Sequence, residues 1–311
     1  MVLAGESYND FYDKTPFKPR LFLNFIKKEN LQEYFAIHKS FSPFEKEDFT
    51  IAHKKSYIDS FFNETHPLCC SNGLPWSQKL AESVCYTNGG LYSAVKYSIE
   101  NPHIITLSPS GGFHRANPDS GYNFSTFSGQ VIASVKIFNQ TGKRGAWIDL
   151  GGDKGVSISQ TRKFAPELNE AIPEGFEIFP DGSHEHYIND LEEKLVKLEE
   201  AIKTGLIHYI VLCHGADSHV YDAFGYQCTT EEWIRASKAV YELIRRIDLT
   251  YGRNIPFSMV LFGGYRSESY ESVLSLHLAD MASCLNILCG HNIKYNPVVE
   301  KEKEAIASSE S

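Results

Sequence analysis

The sequence predicts a single α/β domain in which a mostly parallel central sheet lies between two layers of helices. From about residue 100 onward, short apolar runs alternate with longer amphipathic segments, which is the pattern of strands and helices in such a fold. The chain has 311 residues, 42% hydrophobic and 22% charged, which supports a large core and excludes wholesale disorder. We expect residues 1–298 to form the domain and residues 299–311 to be a disordered tail.

Helix-like and strand-like segments follow in order along the chain. The amino-terminal third is irregular, with helix-like pieces at 20–28 and 47–62. Four short apolar runs then predict strands, at 103–107, 146–150, 207–213 and 257–262.

Three long segments predict the main helices. Over 187–202, apolar side chains recur every three to four residues, with Glu and Lys on the other side. Thr229 and Glu232 have the spacing of a capping box, which predicts a helix over 230–247. Residues 267–288 predict another long helix.

The net charge and the cysteine pattern indicate which partners the protein can bind and in which cellular compartment it works. The 30 basic and 39 acidic residues give a net charge of −9, which argues against direct binding to nucleic acid. The seven cysteines show no CxxC pair, no zinc knuckle and no disulfide framework, so we expect free thiols in a cytoplasmic, reducing compartment. No signal peptide is recognisable, and no apolar run is long enough to predict a membrane span.

Polar and glycine-rich residues follow each predicted strand, where a parallel sheet gathers its functional groups. His114 follows Gly111 and Gly112 after the first strand, and Asp149 and Asp153 lie among glycines after the second. The third strand is followed by His214, Asp217 and His219, and the fourth by Gly263, Gly264 and Tyr265. Each segment taken alone also fits a turn or a polar cluster that ties loops together.

In their order and spacing, these segments resemble the histone deacetylase and acetylpolyamine amidohydrolase family, over roughly residues 47–288. Residues 112–116, GFHRA, resemble the family's GFHHA, and residues 214–219, HGADSH, resemble its GxDaH segment. Phe262-Gly263-Gly264-Tyr265 resembles EGGY. The resemblance implies an arginase/deacetylase-like fold. It also implies a pocket containing Gly112, Phe113, Gly151, His214, His219, Gly263 and Gly264.

In that family a zinc ion held by Asp, His and Asp activates a water molecule, a His pair moves protons, and the GGY tyrosine hydrogen-bonds the oxyanion. Carried over residue by residue, His114 and Tyr265 are retained catalytic positions, and Asp149 matches the Asp that supports the first His. Asp217 matches a zinc ligand.

Three substitutions depart from the family pattern. Residues 148–155, IDLGGDKG, fall without gaps on IDxDxHxG, so Gly151 replaces the zinc Asp and Asp153 replaces the zinc His. A shifted register puts Asp149 on the zinc Asp but Gly151 on the zinc His, so a glycine replaces one ligand either way. Arg115 replaces the general-base His, and a guanidinium cannot accept a proton at neutral pH. We expect Arg115 to pair with Asp217 or Asp153.

Three hypotheses follow. The leading one is a deacetylase-like protein without zinc hydrolase chemistry, which needs no cofactor and binds an acyl-amine or acyl-lysine-like ligand, or partners an active homologous subunit. The second is an active amidohydrolase whose rebuilt site uses Asp153, Asp217 and His114 or His214 to hold Zn²⁺ or another divalent metal, with Mn²⁺ or Mg²⁺ favoured by the oxygen ligands. The third is a small-anion binder that uses Arg115 and the amides of residues 151–155.

Overall fold

A five-stranded parallel sheet forms the centre of the molecule. The computed structural model describes residues 17–38, 40–266 and 269–298, so the tail expected at 299–311 lies outside the described residues. The strand order is β1-β5-β4-β2-β3. The strands are β1 (Thr106–Ser108), β2 (Gly145–Asp149), β3 (Glu177–Ile178), β4 (Tyr209–Gly215) and β5 (Phe257–Phe262).

Helices cover both faces of this sheet. One layer consists of α1 (Lys18–Lys28), α7 (His184–Lys203), α8 (Thr230–Tyr251) and α9 (Tyr270–Cys289). The other consists of α2 (Lys55–Phe62), α3 (Gln78–Glu100), α4 (Gly129–Thr141) and the short helices α5 (Ser157–Thr161) and α6 (Leu168–Ala171). The predicted three-layer α/β/α class is thus confirmed.

The alternation of side chains along the strands divides the core into two clusters. Ile210 and Leu212 of β4 pack with the α7, α8 and α9 layer. Tyr209, Val211 and Cys213 of the same strand pack with the α3 and α4 layer. Both faces of each central strand are therefore buried, as expected of a parallel sheet.

The predicted helices of the carboxyl-terminal half are confirmed, with small differences at their ends. The capping box forms as expected: the Glu232 amide donates to Thr229 Oγ1, and the Thr229 amide donates to a Glu232 carboxylate oxygen. The helix predicted over 187–202 is α7. The one predicted over 267–288 is α9, with residues 267–268 outside the described part of the chain.

The helix-like piece predicted at 47–62 is helical in two parts: a 3₁₀ segment at Lys46–Ile51 is followed by a break, after which the chain continues as α2. The break lets His53 turn inward, where Nδ1 donates to the Asn117 carbonyl and Nε2 accepts from the Ser128 amide, both over 2.8 Å. A buried hydrogen-bonded histidine thus replaces one turn of helix.

Helix α9 is the one described helix long and apolar enough to cross a membrane by length and composition. About two-thirds of it, 67%, is buried inside the fold, and it packs against α8 and α1. We assign it to the core, since core helices pass the same test.

Candidate functional site

His114 and Asp149 form a hydrogen-bonded pair at the end of β2. Nδ1 of His114 lies 2.7 Å from Oδ2 of Asp149, and because an ionised carboxylate only accepts, Nδ1 is the donor. The backbone around the pair is fixed as well, since the amides of Val156 and Ser157 both donate to the His114 carbonyl. Burial by itself lowers the pKa of His114, but the charge and hydrogen bond of Asp149 outweigh it, so the pKa is raised.

Arg115 points its guanidinium toward the same edge of the sheet. Nη2 lies 2.8 Å from Oδ2 of Asp153, so of the two carboxylates considered as partners it pairs with Asp153 and not with Asp217. The Arg115 side chain is 17% exposed and that of Asp153 is 47% exposed, so the pair lies at the rim. Nε of Arg115 is buried without a hydrogen-bond partner.

Asp217 is buried at the end of β4, in a cradle made of Gly151, Gly215 and Gly263. A Cβ added at Gly215 or Gly263 would lie 1.9 Å from Oδ1 of Asp217, so these two glycines leave the space that the carboxylate fills. Oδ1 has no hydrogen-bond partner. Burial raises the pKa of Asp217 to about 6; the nearby Asp222 charge adds to the rise, while His114 and Lys18 oppose it.

A buried lysine lies beneath this cradle. Lys18, at the start of α1, is fully buried, and its Nζ donates to the carbonyls of Phe262 and Gly263. Burial lowers the pKa of Lys18 to about 8, although the charges of Asp217 and Asp222 oppose the shift. Sequence reasoning missed this residue, because a lysine at the start of an amphipathic helix carries no signal of burial.

Tyr265 stands on the opposite side of the cradle, between two aromatic rings. Its amide donates to Oδ2 of Asp222 over 2.8 Å, which fixes the backbone just after the two glycines. Its ring centroid lies 5.5 Å from that of Phe124 and 5.1 Å from that of Phe224.

Gly112 allows the backbone of Phe124 to pack directly against its own backbone, since a Cβ at position 112 would lie 2.9 Å from the Phe124 carbonyl oxygen. Phe113 lies behind this wall, buried near Phe262.

The two histidines assigned to the pocket face elsewhere. His214 stacks on Trp233 with a centroid distance of 3.6 Å, and its Nδ1 lies 2.9 Å from Oδ2 of Asp280, so it belongs to the packing of α8 and α9. Nε2 of His219 lies 2.9 Å from the hydroxyl of Thr230, where it contacts the first turn of α8. Placing both in the pocket therefore needs correction. His214 lies in β4, where adjacent residues point to opposite faces of the sheet, and His219 follows the 3₁₀ turn after the strand; the motif alone does not show either orientation.

Gly151 lies at the centre of the acidic group formed by Asp149 and Asp217. A Cβ at Gly151 would lie 3.1 Å from Oδ1 of Asp149 and 3.6 Å from both oxygens of Asp217, so this glycine faces the centre of the acidic group with no donor atom. Oδ1 of Asp149 also accepts from the Gly151 amide. Among the described residues, the groups of three potential ligands with donor atoms within 4.8 Å do not include Asp217.

Comparison with known proteins gives a fold and no closer relationship. No family model matches the sequence, and no curated protein does. The crystal structure of the HDA15 HD domain superposes with a TM-score of 0.66 at 12% identity, covering 98% of this chain and 90% of that one. The acetylpolyamine aminohydrolase from Burkholderia pseudomallei superposes with a TM-score of 0.63 at 13% identity, covering 90% of this chain and 96% of that one.

Both superpositions extend over nearly the whole of each chain, and the parallel sheet with helices on both faces agrees with them. The fold expected from the strand-end motifs is therefore confirmed. The chain has the fold of the histone deacetylase and acetylpolyamine amidohydrolase family.

Proposed function

We propose that this protein is a deacetylase-like protein that has lost zinc-dependent hydrolysis and acts by binding. The observation that carries the proposal is the position of Gly151, whose missing side chain would point between Asp149 and Asp217. A catalytic zinc needs three protein ligands and one open position. Asp217 alone cannot hold such an ion, and Asp153 is occupied by Arg115.

Arg115 supports the same proposal on electrostatic grounds. A guanidinium beside the acidic group repels a divalent cation, at a cost on the order of 8 kcal/mol at 4 Å and an effective dielectric constant of 20, which is twice the value for two unit charges. Because it stays protonated at neutral pH, it also cannot take a proton from water. Its ion pair with Asp153 gives that carboxylate a permanent cation in place of a metal.

For the ligand we propose an acyl-amine or acyl-lysine-like group. The unpartnered Oδ1 of Asp217 is a buried acceptor for an N–H group, and such an acceptor costs free energy until it is paired. Phe124, Phe224 and Tyr265 offer aromatic surface for an aliphatic stem. A non-catalytic role beside an active homologous subunit, in the cytoplasm, belongs to the same proposal; the seven free thiols support a reducing compartment.

Turnover and binding assays test this proposal together. Acetyl-lysine peptides and acetylpolyamines are incubated with Zn²⁺, Mn²⁺ or Mg²⁺, and we expect no more product than with the Asp217→Asn variant. Calorimetric titration with an acetyl-lysine peptide is expected to show binding that Tyr265→Ala weakens about tenfold, equal to about 1.4 kcal/mol. Tyr226→Ala, at an exposed tyrosine, is the matched control and should leave the affinity unchanged.

One observation favours the alternative of a rebuilt, metal-dependent amidohydrolase. A buried carboxylate oxygen without a partner, such as Oδ1 of Asp217, is also a potential ligand for Mn²⁺ or Mg²⁺. Metal-dependent turnover that disappears in Asp217→Asn would establish this alternative and overturn the binding proposal.

A further inference from the structure

Two sulfur atoms and one nitrogen atom, each able to bind a metal ion, lie close together in the turn between α2 and α3, outside the strand-end site. His66 is exposed, Cys69 is fully buried and Cys70 is half-buried; the two cysteines belong to a 3₁₀ segment, Leu68–Cys70. The two sulfurs are 3.7 Å apart, and Sγ of Cys70 lies 3.9 Å from Nδ1 of His66. All three donor atoms lie within 4.8 Å of one another.

These separations are close to those of ligands around one tetrahedral zinc ion. With Zn–S near 2.3 Å and Zn–N near 2.0–2.1 Å, two sulfurs are about 3.8 Å apart and a sulfur and a nitrogen about 3.5 Å apart. The sulfur pair already has this spacing. The imidazole of His66 has to move a few tenths of an ångström closer to Cys70 and at most about 1.3 Å closer to Cys69, which an exposed side chain can do.

We propose that His66, Cys69 and Cys70 bind a zinc ion through Nδ1 and two thiolates, with the fourth position open to solvent. Two thiolates and one imidazole form a soft donor set that selects zinc over Mg²⁺, Mn²⁺ or Ca²⁺. Each thiol loses its proton on binding, so two protons are released for each ion bound. Burial raises the pKa of the Cys69 thiol to about 11, so its proton leaves only when the metal binds, and the nearby charge of Glu64 adds to the attraction for a cation.

The site is separate from the strand-end acidic group, but its turn supports the pocket wall. The hydroxyl of Ser71 accepts from the Gly121 amide over 2.9 Å, and the Asn72 carbonyl accepts from the Phe124 amide over 2.7 Å. Phe124 in turn packs on Tyr265. A metal on the preceding turn would therefore stiffen the loop that carries Phe124.

Cobalt(II) titration of the reduced full-length protein tests the site. Cobalt bound to thiolates shows charge-transfer absorption, and we expect it to saturate at one equivalent and to be displaced by one equivalent of zinc. Cys70→Ser and His66→Ala should each weaken binding by at least about tenfold, as loss of a ligand requires. Cys289→Ser, which removes an exposed cysteine outside the cluster, is the matched control and should bind as the wild type does.

Absence of thiolate charge transfer at stoichiometric cobalt would overturn the proposal, as would equal absorption in Cys70→Ser. Elemental analysis separates this failure from failure of the proposed function. Zinc that is lost in Cys70→Ser and retained in Asp217→Asn supports both proposals. Zinc that is retained in Cys70→Ser and lost in Asp217→Asn places the ion at the strand ends and overturns both.

Discussion

At the scale of single residues, the Asp217 side chain is buried, but its carboxylate does not have a full set of hydrogen-bond donors. Its carboxylate touches three glycines, and one of its oxygens accepts no hydrogen bond. Lys18 and His114 supply the nearest positive charge, yet burial and Asp222 dominate and raise its pKa to about 6. The ionised side chain is therefore held at a cost to the fold, which is common where a site is built for binding.

This cost predicts how stability depends on pH. The folded state keeps the Asp217 proton up to about pH 6, whereas the ordinary pKa of an aspartate, which applies in the unfolded chain, is 3.8. Ionisation therefore destabilises the fold as the pH rises between these values. We expect Asp217→Asn to be more stable than the wild type at pH 7 by up to about 3 kcal/mol, a figure that already includes the attraction of the ionised carboxylate to Lys18 and His114. Urea denaturation at several pH values measures the difference.

The gain should shrink toward zero as the pH falls toward 4, because both proteins are then neutral at this position. Asp59→Asn, at an exposed carboxylate of α2 paired with Lys55, is the control and should show no comparable gain at pH 7. A variant that is less stable than the wild type at pH 7 would contradict the assignment of strain to Asp217.

Rebuilding the ligands tests the interpretation of Gly151. The variant Gly151→Asp, Asp153→His and Arg115→His, made in a Cys70→Ser background, should bind one equivalent of zinc that the background alone does not bind. Gly151 has no positive φ, and the added Cβ needs shifts of only a few tenths of an ångström beside Asp149. Elemental analysis after exchange into metal-free buffer measures the result, and equal zinc in both proteins would refute it.

At the scale of secondary-structure elements, α1 is tied to the site through one side chain. Lys18 reaches from α1 to the carbonyls that end β5, directly before the loop that carries Tyr265. Phe22, Phe25 and Ile26 bury the rest of the inner face of α1. Helix α1 is thus hydrogen-bonded to the backbone beside the cradle. The packing of α1 on the sheet and the conformation of the loop that carries Tyr265 are therefore linked.

We predict that Lys18→Met destabilises the protein by about 1–3 kcal/mol, because two buried carbonyls lose their donor and Asp217 loses a counter-charge. Cleavage within α1 during limited proteolysis should also become faster. Lys27→Met, at an exposed position of the same helix, is the matched control and should change neither measurement. A free energy of unfolding equal to that of the wild type would contradict this prediction. It would mean that water hydrogen-bonds the two carbonyls as well as the Lys18 ammonium does.

Helices with a clear hydrophobic period could be predicted from the sequence, whereas elements that depend on long-range contacts could not. The spacing of Tyr187, Leu191 and Leu195 predicts α7, whereas α4 is buried on all sides over residues 129–135, polar residues included, and has only a weak amphipathic signal. Strand β3 has two residues and gains its place only by pairing with β2. At the site, the motifs locate Asp149, Asp217 and Tyr265, but Lys18 comes from a distant helix and Cys69 and Cys70 lack a recognised zinc spacing.

At the scale of the whole molecule, two hydrophobic clusters share one sheet. Trp147 lies in the cluster on one face and Trp233 in the cluster on the other, and both are buried. The central strands contribute side chains to both clusters. If the packing of one cluster is lost, the sheet on which the other cluster packs is therefore disrupted as well. We therefore expect the two layers to unfold as one unit.

Single-tryptophan variants test this coupling. Trp76→Phe with Trp233→Phe leaves Trp147 as the only reporter, and Trp76→Phe with Trp147→Phe leaves Trp233. Urea unfolding followed by the fluorescence of each reporter should agree with that variant's own unfolding followed by circular dichroism. A fluorescence midpoint clearly different from the circular dichroism midpoint would show that the layers unfold separately.

The glycine cradle also constrains which sequences descendants of this protein can adopt. At positions 215 and 263 even an alanine methyl would collide with the Asp217 carboxylate, so replacement there is incompatible with the acid that the cradle encloses. Position 151 tolerates a side chain with minor adjustment. A substitution can therefore add a donor atom at position 151, while positions 215 and 263 have to stay glycine as long as Asp217 remains.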